Sequence, residues 1–169
     1  MKRRSIFCIV AIALTLGLGF LLHFLYDWSP NVLFALLSPV RESVWEHMKL
    51  IYWPLVIAGW VLTAGDKTRR GSWRLAVLVC SVLLLVFGWV VNIQAGFISM
   101  PVDIGAFVVL ILLGYAIAYW LEVGEAWHKL LLMGVLVLGG LVVLFTFLPP
   151  DAILFADLSR ADALYTLPC

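Results

Sequence analysis

The sequence predicts an all-α membrane protein: a bundle of about five transmembrane helices, with the N-terminus in the cytoplasm and the C-terminus outside. Three observations predict it. Of 169 residues, 64% are hydrophobic and only 12% are charged, against about 45–50% and about 25% in soluble domains. The apolar residues fall into stretches near the roughly 20 residues a helix needs to cross a bilayer. The basic residues gather beside the ends of alternate stretches, as orientation by positive charge requires. At this length a single integral membrane domain, residues 1–169, is expected.

Span 1 covers residues 5–26. Lys2-Arg3-Arg4 ahead of it resembles the opening of a signal peptide. The apolar run is long enough to span, however, and no small-x-small cleavage site follows, so a retained span is expected. Gly17 and Gly19 allow close helix approach. His23 and Asp27, four apart, share a helical face. Ser29-Pro30-Asn31 is a breaker, and residues 32–47 form an interfacial segment. Its part 32–37 is apolar but too short to span; it lies in the interface or dips back in. Ser38-Pro39 has the pattern of an N-cap followed by the first helical residue. One helix is therefore expected from Pro39 to about Ala64, kinked by Pro54 near Leu50, with residues 48–64 as span 2. Trp45 and Trp53 read as headgroup-level aromatics.

A short basic connection holds Asp66, Lys67, Arg69, Arg70 and Arg74. Span 3 covers residues 75–93 and ends in Asn92 and Gln94. Pro101 opens span 4, residues 102–121, with Asp103 where a helix dipole favours an acid. A loop with Glu122, Glu125, His128 and Lys129 leads to span 5, residues 130–148, and His128 is expected at the surface. Gly134, Gly139 and Gly140 are packing positions in span 5, and Pro149-Pro150 stops it. The tail from 151 to 169 is expected at the surface. With Lys2 to Arg4 and the 67–74 cluster on the cytoplasmic side, the 1–2 loop, the 3–4 loop and the tail face outward.

Several function classes are disfavoured. A net charge of +1 with no basic stripe suggests no nucleic-acid partner. Cys8, Cys80 and Cys169 lie far apart with no CxxC pair, and Cys8 and Cys80 sit in apolar runs as small hydrophobes. The spans carry no charge at mid-bilayer and no paired broken helices, which argues against a small transporter. The expected partners are the lipid bilayer and either another membrane protein or further copies of this chain.

Chemistry concentrates in Ser38–Lys49, where two carboxylates, an imidazole, a guanidinium and an amine fall close together. On a helix begun at Pro39, Val40, Val44, Met48 and Ile51 make an apolar stripe facing lipid. Ser43, Glu46 and His47 share the arc facing inward. Glu42 and Glu46, one turn apart, repel; Lys49, Arg41, a shared proton or a divalent cation relieves them. The topology gathers His23, Glu42, Glu46, His47 and Asp103 on the outer face. Ionisable residues at such depth suggest function by default. Two histidines with a carboxylate form a mixed nitrogen and oxygen set that a divalent metal such as zinc accepts, although the spacing matches no strong metal motif. Plainer readings stand beside these: Glu42 and Glu46 as a solvated face paired with Arg41 and Lys49, His23 bonded to Asp27 or a backbone carbonyl, His47 capping or packing at the headgroup level, and Asn92 bonding between helices.

The phrases His23-Phe24-Leu25-Tyr26-Asp27-Trp28, Ser38-Pro39-Val40-x-Glu42-Ser43-Val44-Trp45-Glu46-His47-x-Lys49-Leu50, Pro101-Val102-Asp103-Ile104-Gly105 and Phe145-Thr146-Phe147-Leu148-Pro149-Pro150 resemble a family of small bacterial multipass membrane proteins of unknown function. Arg41 stands where that family's pattern has Asn, and the tail after Pro150 departs from its short ending. The resemblance implies an α-helical inner-membrane protein and no activity. The residues themselves favour a metal- or proton-binding polar cluster at the outer face. A non-catalytic accessory or structural subunit is the alternative. A membrane-embedded metal-dependent hydrolase, with Glu46 or His47 as general base, is the second alternative.

Overall fold

The computed structural model describes residues 2–159 of the chain, with side chains from Ile6 onward. The side chains of Lys2, Arg3 and Arg4, the tail beyond Ser159 and Cys169 lie outside the described residues. The architecture is all helical: α1 (Lys2–Trp28), α2 (Val32–Leu37), α3 (Val44–His47), α4 (Lys49–Leu62), α5 (Arg70–Phe87), α6 (Met100–Trp120) and α7 (Glu125–Phe147). Four stretches are long and apolar enough to cross a membrane: Ile6–Trp28, Lys67–Gln94, Met100–Trp120 and Glu125–Phe147. Helix α4, at 14 residues, is too short to do so alone, but α3 and α4 follow one another directly from Val44 to Leu62.

Helix α1 stops where Pro30 restricts Ser29 to extended backbone. Asn31 caps α2, its side chain accepting from the Phe34 amide at 3.0 Å. The expected helix from Pro39 does not form. The Ser38 hydroxyl donates to the Leu22 carbonyl and accepts from the Tyr26 amide at 3.1 Å, so it ties the chain to α1 instead of capping a helix. The N-cap is Ser43, whose hydroxyl accepts from the Glu46 amide at 3.2 Å. Ser43-x-x-Glu46 is the spacing of a capping box, the sequence signal that marks this start.

The irregularity expected at Pro54 lies at Met48, between α3 and α4. There the Met48 amide bonds back to the Trp45 carbonyl at 3.1 Å, a tightened turn. Pro54 itself lies inside α4.

The core sits between α4, α5 and α6, with Ile51, Leu55, Ala76, Cys80, Ile111 and Ala118 all buried. Helix α1 packs on α4 and α6, while α7 packs on α5. The expected lipid-facing stripe is corrected: Val44, Met48 and Ile51 are buried inside the bundle. Outer faces of the long helices are apolar instead, for example Leu14, Val86, Val109 and Leu136, as lipid contact requires. Trp45 is also corrected, since it is buried with its ring 5.3 Å from Phe145 and 5.0 Å from Phe155.

Glycine contacts are selective. A side chain on Gly139 would run into the Tyr52 hydroxyl, which donates to the Val135 carbonyl at 2.8 Å. Gly17 and Gly140, expected as packing sites, have no such neighbour.

The basic connection is part of the structure. Arg69 donates to the Tyr119 carbonyl at 2.7 Å and Ser72 to the Leu121 carbonyl at 2.7 Å, satisfying carbonyls at the end of α6. Arg74 donates to the His128 carbonyl at 2.9 Å. His128 is half-buried over Gly71 and was expected at the surface. The described part of the tail, exposed to half-buried, makes contacts of its own. After Pro150 it turns back through a short 3-10 turn, Ile153–Phe155, onto α3, and the Leu158 amide donates to the Glu42 carbonyl at 2.8 Å.

Candidate metal site

Because the chain from Pro39 to Ser43 is not helical, Glu42 and Glu46 are not one helical turn apart. Their carboxylates diverge, and the expected repulsion is relieved by separation. Glu46 turns inward. Its carboxylate accepts from the Val40 amide at 3.0 Å and from the Lys49 ammonium at 2.7 Å. Lys49 donates further to the Ala35 carbonyl at 2.7 Å and the Ser38 carbonyl at 3.0 Å. The ammonium thus has three acceptors, all its protons can use, and both side chains are almost wholly buried, at 0% and 3% exposed. This pair clips α2 and the 38–43 loop onto the start of α4. Arg41 goes elsewhere, donating to the Thr146 carbonyl near the end of α7 at 3.2 Å.

Glu42 turns the other way, towards His47, with Oε2 and Nε2 3.3 Å apart. His23, from the last turns of α1, brings its ring to 5.4 Å from that of His47. Each of His23, Glu42 and His47 offers one ligand atom, and these atoms lie within 4.8 Å of one another. Three separate segments supply them: α1, the loop and α3. The His47 Nδ1 lies 2.8 Å from the Ser43 carbonyl. With the proton on Nδ1, that bond leaves the Nε2 lone pair free for a metal, the usual outer support of a ligating histidine. His23 Nδ1 is buried and has no hydrogen-bond partner.

Electrostatics follow from the geometry. The hydrogen bond from His47 holds the Glu42 carboxyl below its ordinary range, against the opposing pull of burial. Burial on its own pushes His47 down. The Glu42 carboxylate, the Ser43 carbonyl and the charge of Asp103 together outweigh it, so His47 is raised above its ordinary 6.5.

Asp103, at the start of α6, accepts from the Asn92 side-chain amide at 3.2 Å. Asn92 belongs to a π-helical continuation of α5, Gly88–Gln94, which turns its amide to the site; such segments are frequent near functional residues. Asp103, Asn92 and the three ligand candidates all line one cavity of about 360 Å³. Its remaining wall is mostly apolar, with Phe20, Leu50, Phe87, Ile104 and Phe107 among its residues. Leu158 and Ser159 of the returning tail also line it.

The structure therefore brings together His23, Glu42 and His47, sets Asp103 on the same cavity wall, and turns Glu46 to Lys49. The sequence reading missed the tail, for which no motif pointed back to Glu42. It also missed the π-helical segment, for which no residue pattern exists.

A family model described as a family of unknown function, DUF6512, matches residues 1–163. The chain belongs to this family. The DUF6512 match covers every residue of the site. No curated protein and no solved structure matches the chain.

Proposed function

We propose that this DUF6512 protein binds one divalent metal ion at His23, Glu42 and His47, on the outer face of a bacterial inner membrane. The observation that carries the reading is the convergence of the three ligand atoms within 4.8 Å from three separate segments. Two imidazoles and a carboxylate with an open fourth position form a donor set that zinc accepts. Zinc bonds of about 2.0–2.2 Å require the atoms to draw closer, and Glu42, about half exposed, is free to move in. In this reading α4, extended by Met48 before it and by Thr63 and Ala64 after it, makes the remaining crossing, and α3 lies at the outer interface. The bundle then has five spans, with the N-terminus inside and the C-terminus outside. The apolar outer faces and the 67–74 basic cluster support that topology. The site binds and positions the ion; the cavity beside it decides what else reaches it.

The test is zinc titration of detergent-purified protein across pH. The proposal expects about one equivalent per chain. A ligating histidine must be neutral, so binding displaces the proton that Glu42 and Ser43 hold on His47. Apparent affinity is then level above the raised pKa of His47 and falls about tenfold per pH unit below it. In the metal-free protein the sign runs the other way. The His47–Glu42 pair stabilises most between pH 4.5 and 6.5, the ordinary values of the two groups; that contribution is lost as pH rises through the raised value of His47 or falls through the lowered value of Glu42. Protein prepared without chelator that takes up no zinc at any pH contradicts the proposal.

A further inference from the structure

The polar group occupies only one end of its cavity. The rest is an apolar slot, and its mouth can be located. Phe20 and Phe24 of α1 and Met100 and Ile104 of α6 line the cavity, yet each is also exposed on the outside of the bundle. A residue that faces both a cavity and the surface stands at an opening, so the slot opens sideways between α1 and α6. On helices with apolar outer faces that side is lipid. At the base, Phe20 and Phe107 meet edge to face with centroids 5.4 Å apart, and Gly19 lets the Phe107 ring come against α1. On the outer side the tail residues Leu158 and Ser159 border the polar end, where Glu42 and Ser159 are exposed and a second opening faces outward.

We infer that this slot binds a single-chain amphiphile drawn from the bilayer, a long-chain fatty acid, with its alkyl chain between α1 and α6 and its carboxylate at His23, Glu42 and His47. The headgroup half of the inference rests on the metal reading. A divalent ion held by one carboxylate keeps a net positive charge and an open coordination position, and a carboxylate oxygen meets both needs. The chain half rests on shape and polarity alone. A volume of about 360 Å³ is at the lower end of ligand pockets, about 300–1,000 Å³. That holds the carboxyl end and the first part of one alkyl chain, the rest leaving through the mouth into lipid, and has no room for the two chains of a membrane phospholipid. Water would be poorly held along such a wall, while a chain removes apolar surface from it. Asp103, on the same cavity wall with its Oδ1 accepting from the Asn92 amide, opposes a carboxylate, so the attraction at this end comes from the metal ion.

The test is equilibrium binding of radiolabelled palmitate to the full chain in detergent, with and without one equivalent of zinc, with octanoate as a short-chain competitor. Two variants narrow the mouth without touching a ligand: Ile104→Trp and Met100→Trp. Saturable binding of about one palmitate per chain is expected, strengthened by zinc and poorly displaced by octanoate. Each Trp variant weakens it by about tenfold or more, the loss of roughly 1.4 kcal/mol of contact. Zinc content stays unchanged, which also reports that the variants fold. Non-saturable partitioning, or equal binding by both Trp variants, overturns the inference. Zinc uptake without palmitate binding overturns it and leaves the metal site standing. Saturable, Trp-sensitive palmitate binding in protein that takes no zinc supports the slot and removes the metal.

Discussion

Lys49→Met is expected to lower the stability of the protein by about 3–5 kcal/mol, the typical cost of removing one partner from a buried ion pair. The residue is fully buried, and its ammonium serves the Glu46 carboxylate and the carbonyls of Ala35 and Ser38. Methionine fills nearly the same volume, so packing is a small part of the loss. What remains is a buried carboxylate with no cation, and two carbonyls short of a donor. Glu46 has little room to compensate, because its Oε1 is already buried without a partner. The measurement is unfolding in mixed micelles, followed by fluorescence. A double variant, Glu46→Leu with Lys49→Met, should cost less than the two single changes added, since it removes both charges together. A loss below about 1 kcal/mol in Lys49→Met, the range of an exposed pair, would mean that the clip is not buried.

The second large effect concerns metal affinity. His47→Ala and His23→Ala are each expected to weaken zinc binding by more than about 100-fold, beyond the 10–100-fold typical of losing an outer support. Glu42→Gln should weaken it too, while keeping the fold, because Glu42 is exposed and, among the described residues, its side chain pairs with His47 of the site. Glu46→Gln should keep the zinc stoichiometry and lose stability, which separates the structural carboxylate from the ligating one. Asp103→Asn should leave the stoichiometry at one. Isothermal titration of the five variants beside wild type reads all of these. Equal loss in Glu46→Gln and Glu42→Gln would contradict the division of roles.

Much of the fold was legible because hydrocarbon length and helix period are local properties of the chain. Helices α5, α6 and α7 run close to the expected spans 75–93, 102–121 and 130–148, each starting a few residues earlier. Those extra turns carry polar residues such as Ser72 and Arg74, whose bonds are to distant carbonyls. The start of α3 was misplaced for a similar reason. Ser38-Pro39 and Ser43-x-x-Glu46 are both start signals, and the choice between them is made by the α1 carbonyl that takes the Ser38 hydroxyl, a contact 16 residues away in sequence.

That error propagated into the site. With a helix from Pro39, Glu42 and Glu46 look equivalent; with the helix from Val44, one carboxylate goes to Lys49 and the other to the histidines. The sequence placed all five candidate residues on one face, but it could not sort them, because the sorting depends on five non-helical residues. Trp45 and the stripe of Val44, Met48 and Ile51 were assigned to lipid or headgroup. They are buried because α3 and α4 lie at the centre of the bundle, with α1, α5 and α6 around them, and central position leaves no trace in periodicity.

The most direct test of the account is zinc K-edge X-ray absorption of the protein loaded with one equivalent of zinc. A site at His23, Glu42 and His47 gives a first shell of nitrogen and oxygen at about 2.0–2.2 Å, with outer-shell scattering from two imidazoles that drops to one in His47→Ala. A sulfur shell at about 2.3 Å, or a spectrum without imidazole scattering, would contradict it.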